Sequence, residues 1–115
     1  MNGMKGVWAW LGQRVSGVIL VLLLGIHLWV LHFVDPGAGV VFQGVAIRLR
    51  SVFFIVVDLA LLAFSLYHGL NGLRTVILDY SISEKAARKL TWVLTAVGVA
   101  AFVYGALGLM AFLSV

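Results

Sequence analysis

The chain has 115 residues, of which 63% are hydrophobic and only 10% charged, against about 25% charged in a soluble domain. This composition excludes a water-soluble globule, and the length allows one domain at most, with membrane lipid as its solvent. Having no cysteine, the chain forms no disulfide, thiolate metal site or iron–sulfur cluster of its own, and its scattered net charge of +4 argues against nucleic-acid binding.

The first apolar run, residues 15–34 (VSGVILVLLLGIHLWVLHFV), is uncharged. It has about the 20 residues needed to cross roughly 30 Å of hydrocarbon. A secretory signal peptide would be shorter and would end in an Ala-x-Ala site. Within the run, His27 lies roughly 20 Å along a helix from Arg14, which puts it mid-membrane. Ser16 precedes His27 by eleven residues on the same face, and His32 falls near the outer end as an interfacial residue. Asp35-Pro36-Gly37 then signals a turn, and VAIRLR reads as an interfacial lead-in to the next span.

The second run, residues 52–78, is interrupted by Asp58, His68 and Arg74. Asp58 is most simply paired with Arg48 or Arg50, or turned to a polar cavity. A short polar connection, SISEKAARK, makes the second and third spans antiparallel neighbours. The third run, residues 91–113, is uncharged and carries Gly98, Ala101, Gly105 and Gly108 as a small-residue stripe for close helix contact. The expected fold is all-α, with three transmembrane helices over about 15–34, 52–78 and 91–113. Lys5, Arg14, Lys85, Arg88 and Lys89 share one side and Arg48 and Arg50 the other. Positive charge marks the cytoplasmic side, so the N-terminus is expected there, at the cell inner membrane, with Trp8, Trp10 and Trp92 in the interfacial belt.

Ionisable groups inside a membrane are costly and point to function. In HGLNGLRTVILDY, residues 68–80, the positions of His68, Gly72, Thr75 and Asp79 share one helix face. His68 sits roughly 16 Å from Asp79 along the axis, near the midplane. A neutral imidazole there is a good haem-iron ligand, and a glycine on its face admits a flat macrocycle. A His that simply hydrogen-bonds a neighbouring helix, with Gly69 and Gly72 as packing residues, explains the same spacing. Arg14, Arg74 and Asp79 crowd the cytoplasmic boundary, where snorkelling is the simplest role for Arg74. A small transporter or structural subunit using Asp58, Arg74 and Asp79 is a rival reading, one that entails no chromophore.

The pattern His-x3-Gly-x6-Asp-Tyr in HGLNGLRTVILDY resembles the second helix of the small membrane-anchor subunits of succinate dehydrogenase (complex II). QRVSGVIL resembles the entry to their first span, and FVYGALGL their third helix, so the likeness extends over the whole chain. Features of both the C-type and the D-type anchor are present. C-type anchors carry a quinone-binding serine four residues before the helix-1 arginine, where this chain has Trp10, which favours the D-type. The resemblance implies a flavoprotein subunit, an iron–sulfur subunit and a second anchor as partners, with haem b and quinone as cofactors. It implies His68 as an axial haem ligand, opposite a ligand from the other anchor. Tyr80 and Asp79 become the quinone-binding pair, and Arg14 approaches the haem propionates or the quinone. Arg74 lies in the same vicinity, and His27 is the candidate for a second haem. An anchor of fumarate reductase, run in the reverse direction, fits the same residues.

Overall fold

The computed structural model describes residues 3–34 and 41–114; the expected Asp35-Pro36-Gly37 turn lies outside them. Four helices are found and no strand among the described residues. They are α1 (Gly3–Trp29), α2 (Phe42–Leu49), α3 (Val52–Leu78) and α4 (Glu84–Ala111). A π-helical turn, Val30–Val34, extends α1, and a 3-10 turn, Phe112–Ser114, ends α4.

Three helices are long and apolar enough to cross a membrane, as the spacing of the apolar runs predicts. Two of them start earlier than expected, α1 at Gly3 rather than residue 15 and α4 at Glu84 rather than residue 91. Apolar runs measure the hydrocarbon crossing, whereas the backbone hydrogen-bond ladder continues through any residue that tolerates helix. At α4 the supposed loop SEKAARK is made of strong helix formers. Ser83 caps it, its hydroxyl oxygen accepting from the Ala86 N–H at 3.1 Å. Ser83→Ala should therefore cost α4 about 1 kcal/mol at its first turn. Hydrogen exchange of the amides of residues 85–87 checks this: unchanged protection in the variant would rule the cap out.

VAIRLR is also more than a lead-in. Most of it belongs to α2, a separate helix that buries Gly44, Ala46 and Leu49 and is broken from α3 at Arg50-Ser51. The Phe42 and Phe112 rings meet at 5.5 Å, so α2 ties the end of α4 to the start of α3.

The apolar surface is inverted relative to a soluble protein. Buried hydrophobic residues are few (Ala46, Leu49 and Val57), whereas Val18, Val21 and Leu22 are each more than 60% exposed. Such a surface is stable only where the surroundings are as apolar as the side chains. The long axis of 50 Å exceeds the roughly 30 Å of hydrocarbon, leaving both ends for the interfaces.

α3 lies between α1 and α4 and runs antiparallel to both. On the α4 side, a Cβ at Gly98 would come within 2.8 Å of Leu70 Cδ1, and one at Gly105 within 2.6 Å of Leu62 Cδ2. Half of the expected small-residue stripe thus seats leucines of α3, while Gly108 faces open space. On the α1 side, Gly12 lies directly against the Tyr67 hydroxyl. Hydroxyls elsewhere along the spans bond back to their own helix: Thr75 donates to Asn71 O at 2.9 Å and Thr95 to Thr91 O at 2.7 Å. This is how a lone hydroxyl is satisfied where water is absent.

Candidate functional site

The antiparallel register of α1 and α3 brings His68 level with Gln13, Ser16 and Gly17. His68 is ten residues from the C-terminal end of α3, about 15 Å along the axis, close to the middle of the helix. Its Nδ1 lies 3.0 Å from Ser16 Oγ, and its Nε2 lies 3.5 Å from Gln13 Nε2. Ser16 is 2% exposed, the most buried polar residue in the described chain, and its hydroxyl also reaches Gln13 O at 3.1 Å. Asn71, one turn from His68, donates from Nδ2 to Gln13 Oε1 at 2.8 Å and to Ala9 O at 3.2 Å. Two glycines keep this region thin. A Cβ on Gly17 would sit 3.3 Å from His68 Cε1, and one on Gly72 would sit 3.0 Å from Gln13 Nε2. Among the described residues no buried side-chain polar atom is left without a partner.

His68 and Gly72 thus face α1 together, as one helix face requires. Thr75, further along the same face, is exposed, as are Asp79 and Tyr80 at the end of α3. Asp79 is the C-cap residue of α3, and Tyr80 is 78% exposed. Ser81, with φ 53°, then turns the chain toward α4; the left-handed conformation ends α3 sharply and leaves the phenol projecting.

The two arginines at this end behave differently. Arg14 is exposed and lies over the Trp10 ring, 4.4 Å from its centroid. Arg74, for which snorkelling was the simplest role, instead turns inward across the α3–α4 interface. Its Nε–H donates to Thr91 Oγ1 at 2.8 Å, and the Thr91 hydroxyl donates on to Ala87 O at 3.0 Å. It lines a groove of about 590 Å³ between α3 and α4, together with Leu66, Leu70, Asn71 and Phe102.

Toward the other end of α1, His27 Nδ1 lies 3.3 Å from Asp58 Oδ1, so the partner found for Asp58 is a histidine of α1; Arg48 lines the same recess. His27 and His68 therefore occupy separate polar clusters, and Ser16, expected on the His27 face, serves His68. His32 is exposed and donates from Nδ1 to Leu28 O at 2.9 Å.

Apolar periodicity does not single out Gln13 and Asn71, and the helix face that Ser16 shares with His27 does not reveal its contact with His68. Their signal was present nonetheless: neutral polar residues in apolar spans mark helix–helix contacts. With antiparallel spans, Gln13 and Ser16 sit opposite His68 once the register is known.

The chain matches, over residues 1–105, the family described as succinate dehydrogenase/fumarate reductase transmembrane subunit. It is similar to a succinate dehydrogenase hydrophobic membrane anchor subunit of Thermoplasma acidophilum, 37% identical over 94 residues that cover 81% of this chain and 76% of the relative. A protein of the same description from Archaeoglobus fulgidus is 31% identical over 84% of this chain and 82% of its own length. The succinate dehydrogenase 2 membrane subunit SdhC of Mycobacterium tuberculosis is 26% identical over 84% of this chain and 71% of its own. With three helices long and apolar enough to cross a membrane and a family match over residues 1–105, the chain belongs to the family of succinate dehydrogenase and fumarate reductase transmembrane subunits, as a multi-pass membrane anchor.

Proposed function

We propose that the chain is a D-type anchor of a succinate:quinone oxidoreductase, which holds the peripheral subunits at the membrane and contributes half of a haem b site and part of a quinone site. The observation that carries this reading is the setting of His68. Its imidazole is held firmly at Nδ1 and loosely at Nε2, near the middle of a spanning helix, with Gly17 and Gly72 keeping the surroundings thin. These residues fit a haem that His68 would hold through Nε2 together with a residue of another anchor chain. When bound, the group would supply single-electron transfer between an iron–sulfur partner and quinone.

In the same reading, the exposed end of α3 faces the cytoplasm together with the N-terminus, as the positive residues there support. Asp79 and Tyr80 meet the quinone head, with Tyr80 donating its phenolic proton toward a carbonyl oxygen. Arg14 and Arg74 supply positive charge for quinone or propionates. His27 is the candidate ligand for a second haem, since Asp58 Oδ1, 3.3 Å from Nδ1, can accept from Nδ1–H and leave Nε2 with its lone pair, as in carboxylate–histidine–metal groupings. The chain's own residues serve succinate oxidation and fumarate reduction alike, because the quinone potential sets the direction.

Purification from native membranes should recover the chain with a flavoprotein, an iron–sulfur protein and a second anchor. The reduced-minus-oxidised spectrum of that complex should show a b-type haem. A chain that purifies alone, monodisperse and functional, or a complete complex with no visible chromophore, would sink the proposal.

A further inference from the structure

The hydrogen bonds around His68 have only one self-consistent direction, because they end on two backbone carbonyls that can only accept. Asn71 approaches Ala9 O, so its NH2 group, not its oxygen, faces that way. The same Nδ2 reaches Gln13 Oε1, which turns the Gln13 amide so that its NH2 faces His68 Nε2. Nε2 must then be the lone-pair nitrogen. At the other end, Ser16 Oγ has Gln13 O at 3.1 Å to take its hydrogen and lies 3.0 Å from His68 Nδ1, so it accepts from the ring, as a neutral imidazole with a bare Nε2 requires. Nδ1 must then carry the proton.

We infer that Ser16 and the Gln13–Asn71 pair set the tautomer of His68, so that the ring carries its proton on Nδ1 and presents a bare Nε2 to a metal. Ser16 is a positioning residue: it touches neither iron nor quinone but holds the ring and makes Nε2 more electron-rich by accepting from Nδ1–H. Gln13 covers Nε2 through the longest contact in the network, 3.5 Å against 2.8 Å for the bond its side chain accepts from Asn71. The tautomer follows from the network alone; its role in haem ligation rests on the function proposed above.

The test has two parts that fail separately. First, the full chain in lipid nanodiscs, with histidine labelled at both ring nitrogens, is measured by nitrogen NMR. His68 should show a protonated Nδ1 and a bare Nε2, with Ser16→Thr retaining this state and Ser16→Ala giving a mixture of tautomers. Protonation of Nε2 in the unsubstituted chain would overturn the inference whatever any variant does. Second, the assembled complex carrying Ser16→Ala is compared with its Ser16→Thr counterpart. Loss of the Nδ1 acceptor should weaken ferric haem retention by roughly 10-fold or more, raise the haem midpoint potential and shift the electron paramagnetic resonance of the ferric haem, while Ser16→Thr restores all three. An unchanged midpoint and resonance in Ser16→Ala would overturn the positioning role. A complex whose haem survives His68→Ala contradicts the proposed function instead and leaves the tautomer result standing.

Discussion

Replacing His68 by alanine should abolish the b-type haem signal of the assembled complex, while the flavoprotein and iron–sulfur subunits remain attached. Loss of an outer-shell partner of a metal ligand already costs about 10–100-fold in affinity, and deletion of the ligand itself removes more. The fold should survive, because α1 and α3 keep the Asn71 bonds to Gln13 and Ala9 and the close contact of Gly12 with Tyr67. His32→Ala is the control. His32 is exposed in the π-helical turn and bonds its own helix at Leu28 O, so its loss should leave the haem spectrum as it was. His27→Ala separates one haem from two: a halved absorbance identifies a second haem at the His27–Asp58 cluster, and full absorbance leaves that pair a structural link between α1 and α3. An intact haem spectrum in a properly assembled His68→Ala complex would remove His68 from the role.

Tyr80→Phe should slow quinone reduction roughly 10- to 1000-fold, the range expected when one hydrogen bond to a developing oxyanion is lost. Quinone takes up protons as well as electrons, so its carbonyl oxygens need donors near the aqueous side. Tyr80 fits this need: it is 78% exposed at the end of α3, presenting an apolar ring with a hydroxyl at its tip. Asp79 beside it is also exposed, free to orient the phenol or pass protons from water. Haem content and assembly should stay near those of the unsubstituted complex. Succinate oxidation with an artificial acceptor that draws electrons before the membrane should continue. Full quinone turnover in Tyr80→Phe would make the residue an interfacial anchor, since phenylalanine is equally apolar.

Much of this molecule is written in its composition. Hydrophobic runs of membrane-crossing length force helices, because the bilayer offers no other partner for backbone N–H and C=O groups. The number of spans, the antiparallel order and the central height of His68 follow from run length and rise per residue alone. Helix ends do not follow, because the ladder runs past the apolar stretch: α1 begins at Gly3 and α4 at Glu84, each in sequence that hydropathy reads as outside the membrane. The separate helix α2 was hidden for a related reason. Its eight residues are too few for a periodic signal and acquire their buried face only against α3 and the end of α4.

The polar contacts depended wholly on tertiary structure. Helical periodicity assigns a residue to a face but does not say which helix that face meets, nor at what height. Ser16 is eleven residues from His27 on one face of α1, yet the axial register between α1 and α3 sets it against His68 Nδ1 at 3.0 Å. The same register brings His27 to Asp58 at 3.3 Å. A shift of one turn, about 5.4 Å, would separate both pairs. Arg74 shows the same limit: its place near the interface was legible, but its inward turn to Thr91 required the hydroxyl that α4 supplies. Chain chemistry alone determined that polar groups sit within the apolar spans. Which of them meet was decided by how the helices slide past one another until every buried donor and acceptor has a partner, since an unpaired one in an apolar medium costs several kcal/mol, about 2–7 by transfer scales.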